Sequence, residues 1–119
     1  MLTNVHPKLP MRDKVATIAY YVGGLDFKLL ADYGDYLMLG KDSIEVHFFL
    51  FRALNPKENY GQVYLRTNDI DSLYRSLQLN GVAIHPNGSL AAKPWGQREF
   101  SLLDPDHNLL TFGQASINL

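Results

Sequence analysis

Apolar and polar positions alternate along this chain in two registers, and the order of those registers occurs twice. Leu9-Pro10-Met11 is apolar but broken by proline, which also stands at position 7, so a strand here must be short or lie at an edge. Asp13 suits a helix N-cap, because its carboxylate can accept from the free N–H groups of the first turn. Val15, Ile18, Ala19 and Val22 follow at helical spacing until Gly23-Gly24 stops the helix. Asp26 to Leu30 reads as a strand, Asp32-Tyr33-Gly34-Asp35 as a turn and Tyr36 to Leu39 as a second strand. Gly40 to Ser43 reads as a hairpin turn leading into a half-buried strand, Ile44 to Phe51.

Arg52 to Asn59, with Asn55-Pro56 inside, reads as the connecting loop, and the order then restarts. Val63-Tyr64-Leu65 is β-rich. Asn68 or Asp69 can cap a helix carrying Ile70, Leu73, Leu77 and, less well placed, Leu79, with Asn80-Gly81 as its stop. Val82 to Ile84 reads as a strand. Glu99 to Leu103 and Leu109 to Phe112 then flank Asp104-Pro105-Asp106-His107-Asn108 as a hairpin. Leu9 to Asp13 and Leu65 to Asp69 occupy matching points 56 residues apart. The pattern predicts an α+β fold of two βαβββ repeats, about 1–52 and about 60–119, in a single domain spanning 1–119. Neither unit buries its own sheet, so the two pack together and leave a concave trough.

Composition narrows the function classes. The chain has 119 residues, 46% hydrophobic and 19% charged, as in an ordinary soluble globule with one core. A net charge of −1 argues against nucleic acid as a partner. The absence of cysteine excludes disulfides, thiolate metal sites and a cysteine nucleophile. The first seven residues lack the basic and apolar segments of a secretory signal, and no apolar run approaches the ~20 residues that span a bilayer; a cytoplasmic location is expected. None of the serines sits in a nucleophile elbow, and Gly23-Gly24 is a helix stop, not a phosphate loop.

The candidate chemistry lies on the strands and the last loop. Period two sends Ile44, Val46, Phe48 and Leu50 to one face, as core against a helix. Glu45, His47, Phe49 and Phe51 go to the other, which suits the wall of a ligand trough or an edge strand in water. Of four histidines, His85 sits in a loop and His107 at a turn tip; only His6, Glu45 and His47 can converge, as imidazole and carboxylate ligands for a divalent transition ion. Trp95, the only tryptophan, stands between Pro94 and Gly96, where it either stacks on a flat or cationic ligand or plugs the end of the core. Tyr33, Tyr36, Tyr60 and Tyr64 add aromatic surface. Arg66 and Arg98 can anchor an anion or stand as ordinary surface charges.

With these residues in hand, the chain resembles the glyoxalase / bleomycin-resistance / dioxygenase (vicinal oxygen chelate) superfamily, over nearly its whole length. The best local match is Pro94-Trp95-Gly96-Gln97-Arg98-Glu99-Phe100 followed by Asp104-Pro105-Asp106-His107-Asn108, in which His107 replaces the glycine usual in the family's turn. Leu9 to Asp13, Ala19-Tyr20-Tyr21 and Ile44 to Phe49 also look like the bleomycin-resistance branch. The resemblance implies a half-open, eight-stranded, barrel-like trough and a homodimer, with packing within one chain or strand swapping between copies left open. Enzymes of the superfamily place four metal ligands on the first and last strands of the two repeats. By register these positions hold His6, then Glu45 or His47, then Gln62 and Thr111. Two good ligands plus Gln62 favour the branch that binds a drug-like molecule without chemistry, and no metal or other cofactor is expected. The expected ligand contacts are Trp95, Phe49, Tyr64, Tyr36, Glu45, His47 and Arg98. The ligand class is a bleomycin-like glycopeptide or another planar molecule, since the near-neutral charge differs from the acidic members that trap cationic bleomycin. The alternative is a divalent-metal lyase, isomerase, thiol transferase or dioxygenase using His6, Glu45, His47 and Gln62.

Overall fold

A computed structural model describes residues 1–116; the end of the second repeat, 117–119, lies outside the described residues. The first half runs β1 (Lys8–Met11), α1 (Lys14–Ile18), a π-helical turn (Ala19–Gly24), β2 (Lys28–Asp32), β3 (Tyr36–Lys41) and β4 (Ile44–Leu50). After a short 3-10 turn (Pro56–Glu58), the second half runs β5 (Gln62–Arg66), α2 (Ile70–Leu79), β6 (Ala91–Ala92), β7 (Gln97–Leu103) and β8 (Leu109–Ala115). The sheet orders are β1-β4-β3-β2 and β5-β8-β7-β6, so each half builds the same four-stranded sheet. In each, the strand before the helix pairs parallel with the last strand, and the other pairings are antiparallel. The sheets stay open and do not close into a barrel. Pro10 is accommodated because β1 is an edge strand.

Local chemistry sets the boundaries. The Asp13 carboxylate accepts from the Val15 N–H at 3.1 Å and caps α1; Asp69, not Asn68, caps α2 through the Ser72 N–H at 3.3 Å. The apolar stripe of the first helix departs from the expected one. Val15 is 72% exposed, and Thr17 and Tyr21 are buried instead. The helix widens into a π turn, with the Leu25 N–H bonded to the Tyr20 carbonyl, and this rotates Tyr21 into the core. β2 begins two residues later than expected, because Asp26 takes a left-handed turn at φ 63°. Val82–Ile84 is no strand. The His85 N–H bonds the Ser101 carbonyl, but Pro86 has no N–H to continue the ladder, and β7's partner becomes Ala91–Ala92.

One core serves both halves. Val46 and Phe48 of β4, with Phe48 4.7 Å from the Tyr21 ring, face the helix side as period two requires, while Ile44 at the strand's start is exposed. Phe100 stacks on Phe112 at 4.9 Å in the second sheet. The halves are joined by the turn between β7 and β8. Asp104, 4% exposed, accepts the Tyr21 hydroxyl at 2.7 Å, and Asn108 donates to the Pro10 carbonyl at 3.0 Å. Arg12 donates its backbone N–H and Nε to Asp106 at 3.1 and 2.7 Å. His107 stands exposed at the tip with φ 62°, the left-handed conformation for which glycine is better suited. Among the described residues, no helix is long and apolar enough to cross a membrane.

Candidate functional site

Each open sheet has a second face, away from its helix, and the sequence loads both with aromatic and ionisable side chains. On the first sheet, alternation along β4 presents Glu45, His47 and Phe49, and the antiparallel register sets Tyr36 of β3 opposite Phe49. The Tyr36 hydroxyl and His47 Nδ1 lie 2.7 Å apart, and His47 Nε2 lies 2.5 Å from Glu45 Oε2. His6, just ahead of β1, stacks on His47 at 5.0 Å and puts its Nε2 3.8 Å from the same carboxylate oxygen. The His47 hydrogen bond, with smaller help from the charges of His6 and His47, holds the Glu45 carboxyl below the usual carboxylate range against its desolvation. Lys8 lies over the Tyr36 ring at 5.5 Å.

One ligand atom from each of His6, Glu45 and His47 falls within 4.8 Å of the others. Two imidazoles and a carboxylate at that spacing fit a divalent ion of the zinc, copper or nickel class. The Tyr36 hydroxyl, bonded to the far ring nitrogen of His47, holds that ring in place. The second half adds little to this donor set. Gln62 lines a hollow together with His6 and Glu45, and the Thr111 hydroxyl lies 3.2 Å from that of Ser101.

On the second sheet the centre is Glu99. Its Oε2 accepts both the Tyr64 hydroxyl at 2.7 Å and the Trp95 indole N–H at 2.8 Å. Glu99 is 7% exposed, whereas Tyr64 and Trp95 remain 46% and 64% exposed, so Trp95 does not plug the core. Gly96, at φ 78°, closes the turn that projects the indole, with its N–H bonded to the Lys93 carbonyl. Arg66 lies 5.8 Å from the Tyr64 ring centre and donates to Gln97 at 2.6 Å. Desolvation, then the bond to Glu99, raises the Tyr64 phenol above its ordinary pKa.

A hollow of about 870 Å³ between the halves brings His6, Glu45, Gln62 and Tyr64 together. Tyr36 and His47 reach it only through Glu45, and Phe49 lies further along β4. Arg98 is on the opposite face. It makes a two-pronged pair with Asp71 of α2 at 2.8 and 2.9 Å, on the helix side of the sheet. His85 accepts from the Asn87 N–H within its own loop. Reasoning from sequence passed over Glu99. A signal was available: Phe100 belongs to the core, so alternation along β7 puts Arg98 on the helix side and Glu99 on the open face.

Comparison with known proteins gives a consistent picture. The family profile described as Glyoxalase/Bleomycin resistance protein/Dioxygenase superfamily matches residues 4–112. A bleomycin resistance protein of Geobacillus stearothermophilus is 27% identical over 124 residues, covering 91% of this chain and 93% of that one. The crystal structure of a bleomycin resistance determinant encoded on the transposon Tn5 superimposes with a TM-score of 0.88 at 26% identity, over 98% of this chain and 100% of that one. A bleomycin-binding protein solved in complex with bleomycin superimposes with a TM-score of 0.87 at 26% identity, over 97% and 100%.

Proposed function

This chain belongs to the Glyoxalase/Bleomycin resistance protein/Dioxygenase superfamily, and from that premise we propose that it captures a bleomycin-like glycopeptide, or a related planar molecule, without changing it. The observation that carries this reading is the pair of half-open aromatic side chains, Tyr64 and Trp95, anchored through one buried carboxylate on an uncovered sheet face. Aromatic surface held rigidly but left open loses little entropy when a flat heterocycle stacks on it. The similarity to a bleomycin-binding protein solved with its drug supports the same ligand class. Sequestration needs only tight binding at a protein concentration above that of the drug.

The binding form under this reading is a cytoplasmic homodimer. Each concave face is open along one side, and a second copy would turn two such faces into clefts. Titration with metal-free and copper-loaded bleomycin, followed by Trp95 fluorescence, tests the proposal. Trp95 is the only tryptophan, so the signal is local. A saturable change at micromolar ligand is expected; a flat titration rejects bleomycin as the ligand.

The convergence of His6, Glu45 and His47 favours a second reading, a divalent-metal enzyme of the superfamily. In it these three residues hold the ion, and the ion supplies Lewis-acid chemistry toward a substrate oxygen. Calorimetric titration with Zn²⁺ separates the readings. Under the first, wild type and His6→Ala both bind weakly and alike. Stoichiometric binding that is lost in His6→Ala would establish the second.

A further inference from the structure

We infer that Glu99 is the residue that reads a positive charge on the ligand, so that the second sheet's open face selects a flat cation with N–H donors, such as an amidinium or protonated amine. The inference rests on the proposal that this face binds a small molecule, and it names a residue and a charge that the proposal leaves open.

The carboxylates that pack against other elements are compensated by cations or by donors. Asp106 is paired with Arg12, Asp71 with Arg98, Asp32 with Lys14, and Glu45 with His6 and His47. Asp104 is buried in the join between the halves, where four donors surround it. Glu99 differs from all of these. It is 7% exposed, yet among the described residues no lysine, arginine or histidine nitrogen lies within salt-bridge distance of it. Its two partners, Tyr64 and Trp95, are neutral, and both donate to Oε2. Oε1 receives no hydrogen bond from the described residues. Among the described residues no fully buried side-chain oxygen lacks a partner, so Oε1 borders solvent on the open face. The nearby cation, Arg66, donates to Gln97 and makes no ion pair with Glu99.

A desolvated carboxylate without a counter-ion is costly to the free protein, and Glu99, unlike Asp104, keeps one oxygen without a donor where a ligand cation can supply the missing charge. The surroundings fit that ligand. A planar cation donating to Oε1 has the Trp95 and Tyr64 rings beside it, whose faces attract positive charge. Glu45 is the poorer candidate, because His47 and His6 already compete for it.

Glu99→Gln keeps an oxygen that can accept from Tyr64 and Trp95 while removing the charge. The probes are benzamidinium and its neutral isostere benzamide, with bleomycin alongside, each titrated against wild type and Glu99→Gln by Trp95 fluorescence. Benzamidinium should bind wild type at least tenfold more tightly than benzamide, and the two should bind Glu99→Gln alike. The ligand-free variant should melt no lower than wild type, which separates loss of charge recognition from loss of fold. If bleomycin fails to bind but the benzamidinium preference appears, the bleomycin proposal falls and the role of Glu99 stands. If bleomycin binds wild type and Glu99→Gln equally and benzamidinium is not preferred, the role of Glu99 falls and the bleomycin proposal stands. Failure of all three probes overturns both.

Discussion

Replacing Asp104 with alanine is expected to lower the stability of the folded chain by about 4 kcal/mol, read as a fall of roughly 15 °C in Tm. The carboxylate accepts the Tyr21 hydroxyl at 2.7 Å, the Asn108 side-chain amide at 2.8 Å, and the Asp106 and Asn108 backbone N–H groups at 2.9 Å each. Tyr21 and Asn108 are 1% and 0% exposed, so the orphaned donors cannot turn to water. Tyr21 belongs to the first half and Asp104 to the second, so the loss also loosens the join between them. Asp104→Asn, which keeps an acceptor for the two backbone groups, should cost about half as much. Thermal denaturation of the three proteins checks this; an Asp104→Ala protein that melts with wild type would show that the turn does not hold the halves together.

The pH dependence of this group carries its own sign. Burial lifts the Asp104 carboxyl above the usual carboxylate range, against the opposing pull of hydrogen bonds from Asn108, Tyr21 and Asp106. The folded protein therefore takes up this proton more readily than the unfolded chain does. Asp104's titration favours folding fully below the unfolded carboxylate value, and that contribution is lost as pH rises through the lifted folded value.

Gly113→Ala is expected to weaken bleomycin binding by about a hundredfold, roughly 2.7 kcal/mol, with only a small loss of stability. A Cβ at position 113 would overlap the Tyr64 phenol oxygen and stand 2.5 Å from its Cζ. The backbone at 113 is ordinary strand, and the three atoms nearest that Cβ all belong to Tyr64. Tyr64 is 46% exposed and can swing out to water, which is why the fold survives. Its departure removes one of two aromatic walls and one of the two donors that hold Glu99. Titration by Trp95 fluorescence together with a melting curve reads both effects, and unchanged affinity in Gly113→Ala would remove Tyr64 from the binding face.

Much of the fold was legible locally. Asp13 and Asp69 announced their helices because capping depends on a few adjacent atoms. That β1 is short or at an edge followed from Pro10, which cannot donate to a ladder, and it is both. The hairpin around Asp104 to Asn108 followed from its turn chemistry and flanking apolar runs. Errors arose where distant partners decided the outcome. Val15 lost its place in the core to Tyr21 because a π turn and the Asp104 carboxylate, 83 residues away, rotate the helix. Val82 to Ile84 has strand composition, but β7 meets the chain only beyond it, where Ser101 bonds His85 and Gly88 on either side of Pro86.

The candidate site divides the same way. Alternation along β4 put Glu45, His47 and Phe49 on one face without any tertiary knowledge, because the strand's period requires it. That His6 joins Glu45 and His47 depends on the parallel pairing of β1 with β4, which lays residues some forty positions apart side by side. Arg98 and Glu99 are adjacent in sequence with equal claim to a charged role. Only the packed sheet showed that α2 supplies Asp71 to the arginine while the glutamate is left facing Tyr64 and Trp95 without a counter-ion. Short-range order, in caps, turns and strand period, was therefore written in the chain's local pattern. The pairing of charges was not, because which carboxylate meets which cation depends on contacts between elements far apart in sequence.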